Sequence, residues 1–549
     1  MLIAAVIALC ATKPALDHRW VYVQTNLQVA ANADNLCELI ARSKKAGYNG
    51  IVLADSKMQR LADVPEHYFT NARKVVAEAK KEGIEIVPAV WPVGYASSML
   101  WHDVNLIEGL PVKKARFVVR GSEAVPLDGG DNLLTNGNLE RSEGDKVAGL
   151  SFQDGVGVST HVDRSTKHEG SSSVRQDNFK AGNESGNARI VWAPKLQPFH
   201  QYILSGWTKC DGLKGMVQAM ALDGKGRGLV INELPGEPTQ PWTHFSFSFN
   251  SLDSPDIHVY AGVWGGSAGT IWWDDLAVTD ADLLNVVRRP GCPLTVTHNG
   301  SALVEGKDFQ KVADPGLGVK PWNGEYDADH SAPSIKLIGN NLKDGDELEV
   351  SFFHAKTGIG NQASICLSEP KTLDIMADEA KRVSELFHPK GLFWSHDEIR
   401  IGGWCDACMN RKLTPGQILA QNARDCDRIQ QNLMPGSATY VWSDMFDPAH
   451  NAVDKYYLTN GSLAGSWEGL PKNAVIVNWN SGAQSKSLSF FAGRGHRQIL
   501  AGYYDGPVES IKPWMAEASK SGKLAGVMYT TWVGDYSHLE DFAKAAWGE

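Results

Sequence analysis

The feature that most constrains the fold is a strand–helix alternation that is interrupted once and then resumes. From Trp20 onward, the strand patterns WVYVQTN, YNGIVLADS and IEIVPAVWP alternate with amphipathic helix patterns that end at Gly47 and Gly83. Five further strand patterns follow residue 368: GLFWSHDE, ATYVWSD, AVIVNWN, QILAGYYDG and LAGVMYTTW. Repeated βα units form parallel strands with right-handed crossovers, so three plus five strands predict an α/β fold, a (β/α)8 TIM barrel interrupted after its third strand. A doubly wound sheet is the competing fold, but no glycine-rich phosphate loop follows the first strand.

The interruption has a pattern of its own. Residues 131–280 contain short alternating strands separated by Gly, Asn, Asp and Pro turns, which predict a β-sandwich resembling a carbohydrate-binding module. Residues 281–368 form a second, smaller β-rich segment. The two barrel parts are then expected at 17–130, with strands one to three, and at 369–549, with strands four to eight and the catalytic acids.

Residues 1–16 are predicted to be a signal segment. The apolar run from Leu2 to Cys10 is too short to span a bilayer and is typical of the h-region of a signal peptide. We therefore expect a secreted or periplasmic protein. No other stretch of the sequence is long and apolar enough to predict a membrane span.

Charge and aromatic content narrow the class of partner. The net charge of -10 and the pI near 5.9 argue against nucleic acid, whose binding proteins usually carry a basic face. The 18 Trp and 14 Tyr residues supply flat rings that can stack on sugar faces, although such rings are also ordinary core residues. We expect an oligo- or polysaccharide substrate, and the sequence does not indicate the oligomeric state.

Acidic and aromatic residues gather where the predicted barrel strands end. Active sites of TIM barrels lie at this end of the strands, in the βα loops. The candidates in chain order are Asp55, Trp91, His102, His396, Asp397, Glu398, Trp442, Trp479, Tyr503, Tyr504, Asp505 and Trp532. For any single Trp, core packing is an equally good interpretation.

The adjacent acids Asp397 and Glu398 are the strongest candidates for catalysis. Two neighbouring carboxylates at the end of an apolar strand repel each other, and an apolar surround raises the pKa of at least one, as a general acid for glycosidic cleavage requires. Neighbouring strand residues face opposite sides, so both acids can share one pocket only if the strand ends or bulges there. The alternative is structural: either acid could cap the following loop or pair with Arg400.

The Asp397–Glu398 pair, with Trp442, Trp479, the GYYDG segment and Trp532 at later strand ends, resembles the family 20 β-N-acetylhexosaminidases and related retaining hexosaminidases. The resemblance covers the barrel parts. It implies a β-N-acetylhexosaminidase-like activity with substrate-assisted catalysis. Glu398 would be the acid/base, Asp397 would orient the acetamide of the substrate, and Tyr503 or Tyr504 would stabilise the intermediate. His396, Asp55, Trp91 and His102, together with the tryptophans, would bind the substrate.

Two departures from that family keep other functions open. Ser395 and His396 stand where the family has glycines before the acids, and the first strand lacks the arginine that grips sugar hydroxyls. A retaining β-glycosidase of the β-glucosidase, β-galactosidase or endoglucanase type would instead use Glu398 as acid/base and Asp505 as nucleophile. An alternative of another class is a non-catalytic carbohydrate-binding protein.

No metal and no cofactor is predicted. His396, Asp397 and Glu398 alternate in direction along a strand, so at most two of them could face one ion. The CxxC spacing of Cys405 and Cys408 lacks the second pair of a zinc ribbon, which leaves a local disulfide or two reduced thiols as the simpler alternatives.

Overall fold

The protein, described from a computed structural model over residues 16–127, 130–234 and 236–548, contains a closed barrel of eight parallel strands. The expected signal segment falls almost entirely outside these residues. In order around the barrel, the strands are His18–Gln24, Gly50–Ala54, Glu85–Val90, Gly391–Trp394, Ala438–Trp442, Val475–Asn478, Arg497–Tyr503 and Leu524–Thr530. Every strand pairs with the one before it in this order, and the last strand pairs with the first to close the barrel. The predicted parallel eight-strand barrel is therefore present.

Helices surround the barrel and pack their apolar faces against it. The longer helices are Ala30–Lys45, Glu66–Glu82, Pro370–Phe387, Pro415–Leu433, Gln484–Gly493, Ile511–Ser519 and Leu539–Trp547, and two single-turn helices are Ser97–Leu100 and Asp406–Met409. A further single turn, Phe179–Gly182, packs on the eight-stranded sheet described below and not on the barrel. Sequence signals set the helix ends. Gly83 ends the second helix with a φ of +65°, and Thr414 begins helix Pro415–Leu433 with a reciprocal capping box to Gln417.

Aromatic and branched side chains fill the barrel interior. Trp20, Tyr22, Phe393 and Tyr440 belong to the buried cluster inside the strands. Trp20 lies against Gly50 of the neighbouring strand, where an added Cβ would come within 2.5 Å of the indole nitrogen. A larger cluster of buried residues packs the outside of the strands against the helices. The interior of the barrel is thus filled by its own side chains.

Antiparallel sheets come from the residues between the third and fourth barrel strands. The eight-stranded sheet is built on Gln201–Asp223 and Ile257–Asp280, which pair along most of their length, and its other strands are Phe152–Gln153, Thr160–Asp163, Ser173–Gln176, Ala188–Trp192, Gly228–Glu233 and Gln240–Asn250. The expectation of only short strands was wrong here. Strand Gln201–Asp223 extends beyond the predicted strand QYILSGWTKC, and Ile257–Asp280 joins the predicted strands DIHVYAGVWGG and GTIWWDDLAV, because the pairing continues across the register shifts around Lys214.

A six-stranded sheet takes its strands from the segments on either side of the eight-stranded sheet in the sequence. Its strands are Gly109–Arg120, Glu123–Pro126, Thr295–His298, Ser301–Leu303, Ile335–Lys336 and Glu347–Ala355. Strand Gly109–Arg120, which the predicted boundaries group with the first barrel part, pairs with Glu347–Ala355. The predicted domain boundaries remain predictions. In the part of the chain that the structure describes, no helix combines the length and apolarity needed to cross a membrane.

Candidate active site

A cavity of about 800 Å³ opens at the carboxyl ends of the barrel strands. This volume is within the range of small-molecule sites in proteins. Residues from all eight strands or the loops behind them contribute. The lining consists of Tyr22, Gln24, Thr25, Ala54, Asp55, Ser56, Gln59, Ala89, Pro92, Tyr95, Ser98, Ser395, Asp397, Glu398, Trp442, Trp479, Tyr504 and Trp532.

Both acids of the Asp397–Glu398 pair line this cavity. The fourth strand ends at Trp394, and Glu398 takes a left-handed φ of +48°, so the alternation of side chains is broken at the pair. Gly94 packs closely against this backbone, since an added Cβ on Gly94 would come within 2.1 Å of the Asp397 carbonyl oxygen. The strand thus ends before the acid pair, which is the condition under which both carboxyl groups can share one pocket.

Asp397 has surroundings that favour its neutral form. Burial raises its pKa well above the ordinary value, and the carboxylate of Asp444 raises it further. Within the described residues, no side chain donates a hydrogen bond to the Asp397 carboxyl group, although the group faces the cavity. Asp397 is thus a carboxyl group whose surroundings favour the protonated form and whose side chain faces the cavity.

Glu398 is surrounded by donors instead. Arg400 Nη2 lies 2.7 Å from Glu398 Oε1, and the Tyr95 hydroxyl donates to Oε2. Arg400 also donates to Gln362 and lies over the Tyr457 ring. The ion pair with Arg400, which the sequence offered as the structural alternative for these acids, is therefore present, and both oxygens of Glu398 accept from protein donors.

Asp444 connects the acid pair to the aromatic wall. This fully buried carboxylate accepts hydrogen bonds from the Glu398 backbone N–H at 2.9 Å, from Asn451 Nδ2 at 2.9 Å and from Trp479 Nε1 at 3.2 Å. It does not line the cavity. The sequence places Asp444, like Trp442, at the end of the fifth strand, but does not show that it contacts the acid pair.

Aromatic rings form one side of the cavity in a continuous chain of contacts. The centroids of Tyr22 and Trp442 are 5.5 Å apart, those of Trp442 and Trp532 are 6.2 Å apart, and those of Trp532 and Tyr504 are 5.6 Å apart. Trp479 lies parallel to Tyr504 at 6.0 Å. Trp442 is almost completely buried, whereas Trp532 is 40% exposed and can meet a ligand with its ring. Tyr22 and Tyr95 were not among the predicted site residues.

Asp55 lines the cavity, but its oxygens are engaged by the backbone. Oδ2 accepts from Leu27 N at 2.8 Å and Oδ1 from Lys57 N at 2.9 Å, and burial raises its pKa. These bonds hold the loops behind the first two strands. Asp55 therefore contributes to the shape and polarity of the cavity while its carboxylate serves the backbone.

Three predicted substrate-binding residues lie outside the cavity lining. His396 is fully buried against helix Pro415–Leu433, where its Nε2 lies 2.9 Å from Asn422 Oδ1, and burial lowers its pKa to about 4. Trp91 is fully buried and donates to the Met376 carbonyl oxygen. His102 contacts the Gln59 carbonyl oxygen at 2.8 Å. Each of the three side chains thus has a partner in the protein frame around the cavity.

Tyr503 and Asp505, from the seventh strand, also lie outside the lining, whereas their neighbour Tyr504 contributes to it. The Tyr503 ring stacks on Tyr529 at 4.4 Å, and its hydroxyl donates to Asp535. Asp505 accepts from Thr531 Oγ1 at 2.5 Å and from the Trp532 backbone N–H at 2.8 Å. Asp505 therefore fastens the end of the eighth strand to the seventh.

The fold and the cavity together define a class of site. It is an aromatic-walled pocket at the mouth of a parallel barrel, with two adjacent carboxyl groups in different surroundings. Among the cavity-lining residues of the described chain there is no Lys, Arg or His, so the site suits an uncharged ligand better than an anion.

Comparisons with known proteins do not assign this chain to a family. No family model and no curated protein matches the sequence. Among solved structures, TmCBM61 in complex with β-1,4-galactotriose is 17% identical with a TM-score of 0.22, covering 28% of this chain and 99% of that one. The CBM22-1 xylan-binding domain from Paenibacillus barcinonensis Xyn10C is 13% identical with a TM-score of 0.22, covering 28% and 96%. A rhamnosidase from Novosphingobium sp. PP1Y is 10% identical with a TM-score of 0.32, covering 95% and 55%. At these TM-scores the likenesses do not define a shared fold.

Proposed function

We propose that the chain is a glycoside hydrolase that cleaves a β-linked glycan through Asp397 and Glu398. The observation that carries the proposal is the contrast between these two neighbouring acids. One is desolvated next to another carboxylate, and the other is paired with an arginine and a phenol. Two carboxyl groups in different surroundings can take the two different roles that cleavage of a glycosidic bond requires.

The roles within the pair are assigned from these contacts. Asp397 is the proposed acid/base, because burial and Asp444 raise its pKa and no side chain of the described residues donates a hydrogen bond to its carboxyl group. Glu398 is the proposed carboxylate that accepts a hydrogen bond from the substrate. This reverses the assignment implied by the family 20 resemblance. The reversal is supported by Arg400 and Tyr95, which already donate to both oxygens of Glu398, whereas no such donor from the described residues contacts the Asp397 carboxyl group.

The proposed nucleophile is the 2-acetamido group of the substrate. Of the described residues, three carry carboxyl groups that line the cavity: Asp55, Asp397 and Glu398. Asp55 is engaged by backbone N–H groups, and Asp505 is bonded to the eighth strand. A retaining mechanism with a protein nucleophile needs a free carboxylate across the pocket from the acid. Substrate assistance, in which Glu398 orients the acetamide N–H and Tyr504 borders the reacting atoms, does not need one.

The aromatic wall and the lack of cations suit a neutral sugar. The partly exposed Trp532 and Tyr504 rings offer apolar faces, and Gln24, Gln59 and Ser98 offer hydrogen bonds to hydroxyl groups. We infer an oligo- or polysaccharide substrate. Export of the protein, which would bring it to such glycans, stays a prediction because the signal segment lies outside the described residues.

Rates on four aryl glycosides test the proposal. The substrates are the β-N-acetylglucosaminide, β-N-acetylgalactosaminide, β-glucoside and β-galactoside, each with a good and a poor leaving group. We expect activity on the acetamido sugars. Asp397→Asn should reduce the rate on the glycosides with a poor leaving group far more than on those with a good one, because a good leaving group needs little protonation. Glu398→Gln should reduce the rates on both kinds of glycoside equally. Asp505→Asn is the matched control and should retain activity.

Other outcomes would change the proposal in defined ways. Activity on plain hexosides that disappears in Asp505→Asn would identify the protein-nucleophile alternative. A leaving-group effect in Glu398→Gln instead of Asp397→Asn would restore the family 20 assignment. Folded protein that is inactive on all four glycosides but binds polysaccharide in a pull-down assay would indicate the non-catalytic binding protein.

A further inference from the structure

A second cluster of reactive side chains lies away from the cavity. Glu108, Cys366, Cys405 and Cys408 are all buried, and one ligand atom from each lies within 4.8 Å of those of the others. The three cysteines are free thiols. Only Cys405 and Cys408 are neighbours in the sequence, and the other two members come from 39 and 297 residues earlier in the chain. The fold brings together what the sequence separates.

Four of the six distances within the cluster match the edges of a zinc tetrahedron, and the other two are within 4.8 Å. Zinc–sulfur bonds of about 2.3 Å place tetrahedral sulfur atoms about 3.8 Å apart, and a carboxylate oxygen lies slightly closer to each sulfur. Cys366 Sγ is 3.5 Å from Cys405 Sγ and 3.7 Å from Cys408 Sγ. Glu108 Oε2 is 3.7 Å from Cys405 Sγ and 3.6 Å from Cys408 Sγ. One central cation can therefore contact all four atoms.

Glu108 is oriented as a metal ligand would be. Its Oε1 accepts hydrogen bonds from the backbone N–H groups of Trp404 at 2.8 Å and Cys405 at 3.0 Å. Its Oε2 is left facing sulfur atoms, which are weak partners for a buried carboxylate. Backbone bonds to one oxygen with the other aimed at the metal are the arrangement that fixes ligating carboxylates in metal sites.

The charge of the cluster also calls for a cation. A carboxylate among three thiols in a buried site is costly unless it is neutralised. The Arg289 guanidinium lies within electrostatic reach of Glu108, Cys366 and Cys405, but its three nitrogens donate to Glu369 and to the Asn105 and Ile107 carbonyl oxygens. Arg289 thus compensates one negative charge without contacting the oxygen that faces the sulfurs. A divalent ion would compensate two more.

We propose that Glu108, Cys366, Cys405 and Cys408 bind a structural zinc ion. Four protein ligands close the tetrahedron and leave no position for substrate, which separates this site from catalytic zinc sites. The site would join three segments: the chain entering the six-stranded sheet at Gly109, the chain returning to helix Pro370–Phe387, and the loop after the fourth barrel strand. That loop also carries Asp397 and Glu398, so the zinc ion would stabilise the segment that holds the acid pair of the candidate active site.

The experiment measures metal in the whole chain, purified without chelators. Elemental analysis should find about one zinc per chain, as four closed ligands predict. Cobalt exchanged into the protein should give the absorption bands of a tetrahedral cobalt–thiolate site. Cys408→Ser should lose most of the zinc and the cobalt–thiolate band, whereas Cys210→Ser, which changes a buried cysteine of the eight-stranded sheet, should keep both.

A second measurement covers the case in which Cys408→Ser does not fold. In the native wild-type chain, a chelator should make Cys366, Cys405 and Cys408 reactive to an alkylating reagent, and zinc should protect them again. Folded protein without zinc, a mass deficit of two hydrogens from a disulfide in this cluster, or alkylation that the chelator does not change would each overturn the proposal. Equal zinc in Cys408→Ser and Cys210→Ser would do the same.

Discussion

The ion pair between Arg400 and Glu398 allows a quantitative test of how the acid pair is held. Replacing Arg400 with Met keeps most of the side-chain volume and removes the cation. Arg400 Nη2 and Glu398 Oε1 are 2.7 Å apart, and the two side chains are 11% and 21% exposed. Coulomb's law gives about 6 kcal/mol for such a pair at an effective dielectric constant of 20, before desolvation is subtracted.

The net cost is smaller than the Coulomb energy. Removing one partner of a buried pair costs about 3–5 kcal/mol, because a charge is left without its counterion. Glu398 keeps the Tyr95 donor and some contact with solvent, so we expect the lower end of that range, about 3 kcal/mol. For a barrel of this size, this corresponds to a fall in Tm of about 6 °C.

A surface pair supplies the matched control. Arg382 Nε and Asp378 Oδ2 are also 2.7 Å apart, but their side chains are 43% and 47% exposed. Arg382→Met should therefore cost about 0.5 kcal/mol or less. The assay is differential scanning calorimetry of both variants and of the double variant Arg400→Met, Glu398→Gln, which should recover part of the lost stability. Equal and small Tm changes for Arg400→Met and Arg382→Met would refute the reasoning that burial makes the first pair strong.

Three further predictions concern the site and its frame. The rate constant kcat/KM should fall as the pH rises through the raised pKa of Asp397, and Asp444→Asn should move this fall to lower pH because it removes a like charge; a pH–rate profile that does not move, or moves to higher pH, would contradict the role of Asp444. Trp532→Ala should raise KM by about tenfold through loss of ring contact, while Trp322→Ala, an exposed tryptophan outside the cavity lining, should leave KM unchanged. Glu379 is buried, and desolvation raises its pKa to about 7, so the free energy of unfolding falls between about pH 4.5 and pH 7. Glu379→Gln removes this loss, so the Tm of the variant relative to the wild type should be higher at pH 8 than at pH 5, by the equivalent of about 3 kcal/mol. A Tm difference that is independent of pH would contradict this.

Local patterns were sufficient to predict the barrel. The barrel strands are short apolar runs, helix residues repeat apolar positions every three to four residues, and caps such as Thr414 and Gly83 mark helix ends, so the eight strands could be recognised without knowledge of their neighbours. The same order identified Asp397 and Glu398 at a strand end. The long strands of the eight-stranded sheet were missed, because their continuation depends on bulges that form only against a paired strand.

The chemistry of the site depended on contacts that no local pattern contains. Whether His396 or Asp397 faces the cavity is decided by where the fourth strand ends and by the left-handed backbone at Glu398.

The sequence by itself determined the barrel, the position of its mouth and the acid pair that stands there. Only the tertiary structure decided which acid is desolvated, which is paired with Arg400, and which distant residues gather around Cys405 and Cys408. The physical reason is that secondary structure follows from neighbours along the chain. The proton affinity of a carboxyl group and the ligand set of a metal follow from neighbours in space.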